Sequence, residues 1–330
     1  MDPQLRSGEW RDRRVLVTGG AGFLGSHLVE RLAGLGAAVT VVDNLRTGDL
    51  ENLAAVRDRI DVVAADVRDR EAVEMVVGEL APAALFHLAA NPSVPGSVED
   101  PVYDFETNAG GTFNVLNAIR LADSCERAVI LSSGAVYGEP LSVPIRETDP
   151  LQPISPYGSS KLGAEVAASM FHRVYDVPVV AARLFNVYGP RMGHFVVRDL
   201  LHKLQANPRR LEVLGSGGQV REFTFVSDAV EGILLLSERG RPGEAYNLSS
   251  GHPVTILNLA ERLLDVLGLT ARTELVCTGE SWVGDAQRWE VGLEKIRELG
   301  FAPSTALDDG LRSTIDWFEN LEGEIWPRAH

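Results

Sequence analysis

The segment RVLVTGGAGFLGSHLVERL, residues 14–32, decides the fold that the rest of the chain is expected to adopt. An apolar run of strand type at 15–17 leads into a cluster in which Gly19, Gly22 and Gly25 are spaced three apart, and a segment with helical periodicity follows. Glycines at this spacing let the chain turn tightly, let backbone N–H groups approach a pyrophosphate, and let the following helix pack closely on the sheet. A helix that begins near Gly22 would direct its positive end at the phosphates. A glycine-rich turn that binds nothing has the same letters, so the later segments must decide between the two interpretations.

Composition and charge narrow the class of protein. The chain has 330 residues, of which 45% are hydrophobic and 23% charged, which suits two domains or one elaborated α/β domain. A net charge of −15 argues against nucleic acid or an anionic membrane as the main partner. The charged residues 1–14 lack the apolar core of a signal peptide, and no apolar run approaches the roughly 18 residues of a membrane span. Cys125 and Cys277 form neither a disulfide framework nor a metal-binding spacing, so we expect a cytoplasmic protein without a metal site.

An acidic residue at the end of the second predicted strand indicates the cofactor. The run AVTVV at 38–42 ends at Asp43, which lies 18 residues beyond Gly25. This is close to the roughly 20 residues expected for the acid that binds the ribose hydroxyls of a dinucleotide. A carboxylate there would repel a 2′-phosphate, which favours NAD over NADP. The alternative is that Asp43 is a helix cap or a turn residue.

Short apolar runs alternate with segments of helical periodicity along the first 186 residues. Further strands are predicted at 61–65, 84–89, 129–132 and 178–185, and helices at 69–80, 108–121 and 157–175. This alternation predicts an α/β fold with a doubly wound parallel sheet of the Rossmann type. His87 lies inside a strand, which favours a core histidine over a catalyst, and a loop is expected from Asn91 to Gly96.

The composition changes after residue 186, so the chain is divided into an NAD-binding domain, 1–186, and a smaller mixed α/β substrate domain, mainly 187–330. The chain is expected to return to the first domain around 221–250. Strands are predicted at 222–226 and 245–248, and helices at 228–237, 255–267 and 294–299.

A tyrosine and a lysine one helical turn apart suggest proton chemistry. Tyr157 and Lys161 form a Y-x-x-x-K pair at the start of a predicted helix, and Ser133 ends the preceding strand. A phenol ionises near pH 10 in water, too high for a base at neutrality. An ammonium one turn away, together with a positively charged nicotinamide ring, would favour the phenolate and lower its pKa. A tyrosine beside a solvated lysine is the alternative, and the order of the glycine loop, Asp43, Ser133 and the Tyr–Lys pair argues against it.

Seven segments resemble the extended short-chain dehydrogenase/reductase family, in particular its nucleotide-sugar epimerases of the UDP-glucose/UDP-galactose 4-epimerase type. They are TGGAGFLG (18–25), DNLRTG (43–48), HLAA (87–90), SSGAVYG (132–138), SPYGSSK (155–161), RLFNVYGPR (183–191) and REFTFVSDAVEG (221–232). The resemblance runs from about Arg14 to Phe318.

The resemblance implies roles for particular residues. The catalytic residues would be Tyr157, Lys161 and Ser133. The NAD-binding residues would be Gly19, Gly22, Phe23, Leu24, Gly25, Asp43, Asn44, Asp66, Val67, Asn108, Tyr157 and Lys161. The residues that bind a nucleotide-diphosphate sugar would be Ser93, Ser133, Asn186, Arg191, Arg221 and Arg288, whose arginines suit phosphate oxygens. A homodimer formed through the Asn108 and Tyr157 helices is also implied.

The implied reaction is 4-epimerisation: Tyr157 takes the proton of the sugar 4-hydroxyl while the C4 hydride moves to NAD, and hydride returns to the other face. The 4,6-dehydratases of the family have an Asp-Glu pair where this chain has Gly134 and Ala135, which disfavours dehydration. A UDP-glucuronate decarboxylase, or an epimerase acting at another carbon, remains the alternative. A catalytically silent dinucleotide-binding regulator is disfavoured, because such proteins usually lack the Tyr–Lys pair.

Overall fold

The computed structural model describes residues 10–193, 195–279 and 287–321. The absence of a signal peptide was predicted from residues 1–14, and the first nine of these lie outside the described residues. Its main element is a seven-stranded sheet in which every neighbouring pair of strands is parallel. Across the sheet the order is β11 (Ala245–Leu248), β6 (Val179–Leu184), β5 (Arg127–Ser133), β4 (Ala84–His87), β1 (Arg14–Thr18), β2 (Ala38–Asp43) and β3 (Ile60–Ala64). The predicted doubly wound parallel sheet is confirmed.

Both faces of this sheet are buried. Successive side chains of a strand point to opposite faces, so one strand contributes to two hydrophobic clusters. Val15 and Val17 pack with Leu28 in one hydrophobic cluster, whereas Leu16 packs with Leu116 in another. The helices are α1 (Phe23–Gly34), α2 (Arg70–Leu80), α3 (Val94–Glu99), α4 (Pro101–Phe105), α5 (Gly111–Ala122), α6 (Pro156–Tyr175), α7 (Val196–Ala206), α8 (Val226–Arg239), α9 (Ile256–Leu267), α10 (Glu294–Glu298) and α11 (Leu307–Leu321). Short 3₁₀ segments at 50–59 and 134–137 and a π turn at 106–110 complete the helical structure of the described residues.

The C-terminal half forms a third hydrophobic cluster from α7, α9 and α11. Short strand pairs accompany it: β8 (Arg210–Val213) with β13 (Glu274–Cys277), β9 (Val220–Glu222) with β12 (Pro253–Thr255), and β7 (Val187–Tyr188) with β10 (Thr224–Phe225). Between β10 and β12 the chain returns to the large sheet, where β11 pairs with β6.

Three local predictions need correction. The loop expected from Asn91 to Gly96 ends early, because the Ser93 hydroxyl accepts a hydrogen bond from the Gly96 N–H at 3.0 Å and starts α3 at Val94. The strand expected at 222–226 is divided into β9 and β10, and α8 begins at Val226. The helix expected from 108 begins earlier, as the π turn at 106–110.

Candidate active site

The candidate site lies at the carboxyl ends of the parallel strands, where open α/β sheets bind their ligands. Ser133 is the last residue of β5, and its hydroxyl oxygen accepts a hydrogen bond from the Ala135 N–H at 3.2 Å, which caps the 3₁₀ turn at 134–137. The Ser133 side chain also acts on the Tyr157 phenol, because it lowers the pKa of that group. The structure therefore places these two predicted catalytic side chains near each other.

Local contacts fix the first turn of α6, which carries Tyr157. The Ser155 hydroxyl caps the helix by accepting from the Gly158 N–H at 3.1 Å. The Ser97 hydroxyl, buried in α3, accepts from the Tyr157 N–H at 3.1 Å. A Cβ on Gly158 would lie 2.5 Å from the Ala135 oxygen, so only glycine lets α6 approach the turn that follows Ser133 this closely. Ser97 was not predicted, since a short serine-containing helix has no distinctive pattern.

Lys161 lies one turn further along α6 and is 6% exposed. Its ammonium donates to the Leu131 carbonyl of β5 at 3.0 Å and lies 5.9 Å from the centre of the Tyr157 ring. Burial lowers the pKa of Lys161 to about 8, while the carboxylates of Asp104 and Glu165 act in the opposite direction. The ammonium of Lys161 is therefore buried close to the ring of Tyr157.

The chain's own residues do not lower the pKa of the Tyr157 phenol. Burial raises that pKa to about 12, the hydrogen bond with Ser133 opposes the increase, and the Asp104 carboxylate adds to it. The lowered pKa predicted from the sequence invoked the nicotinamide ring as well as Lys161. The lowering expected from Lys161 is therefore not found, and the lowering expected from a nicotinamide ring stays a prediction.

The glycine loop has the geometry that a pyrophosphate needs. Gly19 has φ +70°, and a Cβ on Gly25 would lie 2.1 Å from the Gly19 oxygen, so loop and helix approach more closely than side chains allow. Gly22 is the N-cap of α1, without a side-chain cap and without an acidic residue in the first turn. Phe23 and Leu24 open the helix, and their side chains pack against hydrophobic clusters. The first N–H groups of α1 are thus left for an anion, and these residues fit a dinucleotide.

Four of the predicted NAD-binding residues, Asp43, Asn44, Asp66 and Val67, lie at or just after the ends of β2 and β3. The buried Asp43 carboxylate accepts from the Ala21 N–H at 3.0 Å and the Leu45 N–H at 2.9 Å, so it also holds the glycine loop. The Asn44 amide donates to Asp66 at 2.9 Å. A hydrogen bond from Arg68 is the largest cause that lowers the pKa of Asp66, to about 2. Val67, the next residue, is buried.

The Asn108 side chain connects the segment after β4 to α6 through hydrogen bonds. Its side-chain oxygen accepts from the Asn91 N–H at 2.8 Å. Its amide nitrogen donates to the Asn91 carbonyl at 3.2 Å, to Asp104 at 3.1 Å and to the Ser160 hydroxyl at 2.9 Å. Asp104 and Ser160 were missed by the sequence analysis, because an aspartate in a polar helical segment reads as a solvated residue.

The predicted sugar-nucleotide residues fall into two groups. Arg221 of β9 stacks on the Trp289 ring, with the guanidinium carbon 4.9 Å from the ring centre, and Arg288 lies beside it through a bridge with Val220. Asn186 donates to the Glu222 carbonyl of the same strand at 3.2 Å. These contacts bring the three polar side chains to one region, although Arg288 is also paired with Glu290.

Arg191 and Ser93 are engaged elsewhere. The Arg191 guanidinium contacts Glu30 at 2.6 Å and the Ser26 hydroxyl at 3.2 Å, both in α1, so a role in substrate binding requires that this ion pair open or be shared. Ser93 caps α3, as described above. His87 is a core residue as predicted, since it is 3% exposed and its ring nitrogens lie 2.7 Å from the Thr18 hydroxyl and 3.0 Å from the Thr112 hydroxyl.

Within the described ranges, no three side chains of the metal-ligating types come together, and no helix is long and apolar enough to cross a membrane.

Comparisons with known proteins agree with this geometry. The family model described as GDP-mannose 4,6 dehydratase matches residues 16–314. The UDP-glucose 4-epimerase of Mycolicibacterium smegmatis is 33% identical over 313 residues, which cover 93% of this chain and 99% of that protein. UDP-glucuronic acid decarboxylase 1 of Arabidopsis thaliana is 35% identical over 319 residues, which cover 93% of this chain and 70% of that protein. The crystal structure of the Thermus thermophilus UDP-glucose 4-epimerase in complex with NAD is 34% identical, covers 93% of this chain and 99% of that one, and superposes with a TM-score of 0.83.

Proposed function

The chain belongs to the extended short-chain dehydrogenase/reductase family of nucleotide-sugar epimerases and dehydratases, and on this basis we propose that it is an NAD-dependent 4-epimerase of a UDP-hexose. The observation that carries the proposal is that Ser133 ends β5 close enough to act on the Tyr157 phenol, while the buried Lys161 ammonium lies 5.9 Å from the centre of the Tyr157 ring. The relatives named UDP-glucose 4-epimerase match over nearly the whole chain, which supports the same class of substrate here.

The proposed chemistry assigns each of the three side chains a role at the sugar 4-hydroxyl. The phenolic oxygen of Tyr157 takes the proton of the sugar 4-hydroxyl and later returns it. The Ser133 hydroxyl forms a hydrogen bond with the same sugar hydroxyl. The positive charge of the Lys161 ammonium stabilises the Tyr157 phenolate. A bound nicotinamide supplies the hydride acceptor and donor. Asn186, Arg221 and Arg288 would hold the diphosphate, so that the sugar itself is free to turn over between the two steps.

Packing at Gly134 supports epimerisation over dehydration. A Cβ at this position would lie 2.3 Å from the Phe185 ring, so the acid found here in 4,6-dehydratases does not fit this packing. Decarboxylation of a UDP-glucuronate is the second candidate, because the Arabidopsis thaliana UDP-glucuronic acid decarboxylase is as similar to this chain as the epimerases are. The residue roles and the division of the chain at residue 186 are part of the same proposal.

We further propose that the cofactor is NAD and that it stays bound between turnovers. The Asp43 carboxylate at the end of β2 would accept ribose hydroxyls and repel a 2′-phosphate. Protein purified without added cofactor and then denatured should release NAD, identified by its mass. Release of NADP, or of no dinucleotide, would contradict this assignment.

A homodimer is proposed through α5 and α6. Phe113 of α5 and Val166 of α6 are 47% and 62% exposed, and the Phe113 ring lies 5.1 Å from the Phe171 ring of α6, so the two helices share an apolar surface. Phe105 at the end of α4, 55% exposed, approaches Gly163 and extends this surface. We place the protein in the cytoplasm, a proposal that the two free cysteines support.

The decisive experiment is to incubate the protein separately with UDP-glucose, UDP-N-acetylglucosamine and UDP-glucuronate and to identify the products by NMR. We expect a 4-epimer with no loss of mass. A pentose product with release of CO₂ would establish the decarboxylase instead, and a 4-keto-6-deoxy product would establish the dehydratase.

A further inference from the structure

Two arginines from different loops approach one tyrosine ring beside the predicted dinucleotide site. The guanidinium carbon of Arg46, which follows β2, lies over the Tyr103 ring at 4.1 Å from its centre. The guanidinium carbon of Arg68, which follows β3, lies 4.8 Å from the same centre. Tyr103 is partly buried in α4, so three segments that are separate along the chain meet at its ring.

Further contacts connect the two arginines to each other. The Arg68 guanidinium forms a two-point ion pair with Asp66, with an Nε–Oδ1 distance of 3.1 Å and an Nη2–Oδ2 distance of 2.9 Å. Asp66 accepts from the Asn44 amide at 2.9 Å, and the Asn44 side-chain oxygen accepts from the Arg46 N–H at 3.0 Å. Together with Tyr103 these residues form a closed ring of contacts, which holds the loops after β2 and β3 against α4.

This ring of contacts begins one residue beyond the acid that is expected to bind the cofactor. The buried Asp43 carboxylate ends β2, and an acid at this position of a dinucleotide fold accepts the hydroxyls of the adenosine ribose. Ligands of open parallel sheets bind outside the carboxyl ends of the strands, where Arg46 and Arg68 both lie. The adenosine half of the cofactor and the stacked side chains are therefore expected at the same edge of the sheet.

The charges at the Tyr103 ring also suit a nucleotide. Arg68 is paired with Asp66 and, at 3.9 Å, with Glu106, whereas among the residues that the structure describes no carboxylate pairs with Arg46. Two guanidiniums that approach one ring repel each other, and a nearby negative group reduces this repulsion. A dinucleotide brings phosphates, to which an arginine side chain donates well, and a base on which it stacks.

We propose that Arg46, Tyr103 and Arg68, here called the adenosine clasp, close over the adenosine half of bound NAD and slow its release. The contacts on the Tyr103 ring join the loops that flank the nucleotide to α4, so the dinucleotide leaves when these contacts open. The inference rests on the proposed NAD cofactor and deepens it, because it names residues that keep the cofactor in place between turnovers. The clasp takes no part in proton or hydride transfer.

Exchange of the cofactor tests the clasp without turnover. Protein saturated with NAD is mixed with an excess of ¹⁵N-labelled NAD, and the label that has become bound after increasing times is measured by mass spectrometry of the released dinucleotide. Tyr103→Leu removes the ring on which both guanidiniums stack, and we expect exchange at least about fivefold faster than in the native sequence. Tyr103→Phe keeps the ring and should exchange at the native rate.

Tyr175→Leu is the matched control. The guanidinium carbon of Arg120 lies 5.0 Å from the centre of the Tyr175 ring, so this variant also removes a tyrosine and a cation–π contact, at the last residue of α6. We expect it to leave the exchange rate unchanged. Should Tyr103→Leu fail to fold, Arg46→Met removes one stacked guanidinium at an exposed position and should speed exchange at least about twofold.

Three results would overturn the inference: a native exchange rate in Tyr103→Leu, an equal acceleration in Tyr103→Phe, or an equal acceleration in Tyr175→Leu, which would make the effect one of general stability. Protein that takes up no NAD would overturn it as well. Failure of the proposed reaction gives a different pattern. If no UDP-sugar is converted but Tyr103→Leu still exchanges NAD faster, the clasp stands and only the assigned reaction is wrong.

Discussion

The carboxylate of Glu165 in α6 and the guanidinium of Arg183 in β6 form a two-point ion pair, and β6 is the neighbour of the strand that ends at Ser133. The Nε–Oε1 distance is 2.9 Å and the Nη2–Oε2 distance is 2.7 Å, and both side chains are less than a tenth exposed. Glu165 also accepts a hydrogen bond from Ser132. Glu165 lies two turns beyond Tyr157, so one buried pair joins the helix of the phenol to β5 and β6.

Replacement of one partner of this pair should destabilise the protein more than replacement of both. Glu165→Leu leaves the Arg183 charge buried and unpaired, and we expect a loss of about 3–5 kcal/mol in the free energy of unfolding. The double variant with Arg183→Met should recover most of that loss. Urea denaturation measures both. Asp199→Asn, which breaks the exposed pair with Lys203, is the control and should cost less than about 1 kcal/mol. A double variant no more stable than the single one would contradict the interpretation.

Tyr157→Phe should abolish conversion of the UDP-sugar while leaving the bound dinucleotide in place. The substitution removes only the phenolic oxygen that exchanges a proton with the sugar, and its ring still fills the same space. We expect a decrease in kcat of at least about 100-fold, the usual contribution of a positioned acid or base. Cofactor content after denaturation is the second measurement. Tyr175→Phe, at the exposed end of the same helix, is the control. Normal turnover in Tyr157→Phe would mean that another group is the base.

Stability should fall as the pH is lowered below about 6.5, in part because of His87. Burial, the largest cause, lowers the pKa of His87 from 6.5 to about 3, so between these values the unfolded chain binds a proton that the folded chain does not. Between pH 6.5 and pH 3, His87 therefore lowers the free energy of unfolding by up to about 1.4 kcal/mol for each unit by which the pH falls.

The measurement is the free energy of unfolding at pH 7 and pH 5 for the native sequence and for His87→Gln. The difference between the two pH values should be smaller in the variant. His252→Gln, at an exposed position, should leave it unchanged. An equal pH dependence with and without His87 would contradict the assignment.

A charge on the apolar surface of α5 and α6 should dissociate the proposed dimer. Val166 is 62% exposed on α6, and Val166→Asp would bury a carboxylate in the contact if two copies pair there. Sedimentation velocity should show the mass halved. Met75→Asp is the matched control, since Met75 is 61% exposed on α2, which is not one of the two helices of the proposed contact. A native sequence that sediments as a monomer, or a dimer that survives Val166→Asp, would disprove this interface.

Local sequence patterns were sufficient to predict those segments whose structure depends mainly on their own residues. The glycine loop, the strand β2 that ends at Asp43 and the Tyr157–Lys161 turn of α6 are all found close to their predicted bounds. They are local because a tight turn, an apolar strand and an i,i+4 pair each depend on residues within a few positions.

Long-range pairing accounts for two strands that were not predicted. The strands β8 and β13 are four residues each and are held by each other across about sixty residues of chain, so neither is distinctive alone. The helices α7 and α11 were also not predicted, although α7 has apolar residues at helical spacing, as Val197, Leu200, Leu201 and Leu204 show. This spacing is a local pattern and is typical of an amphipathic helix.

The sequence by itself determined the parallel sheet, the loop suited to a dinucleotide and the identity of the Ser133, Tyr157 and Lys161 side chains, because these follow from spacing along the chain. Tertiary structure decided the charge environment. It buried the Asp104 carboxylate against the Ser160 hydroxyl, paired Glu165 with Arg183 and paired Arg191 with Glu30. The reason is physical: the free energy of a charge depends on burial and on which groups surround it, and those groups come from separate segments that only the fold brings together.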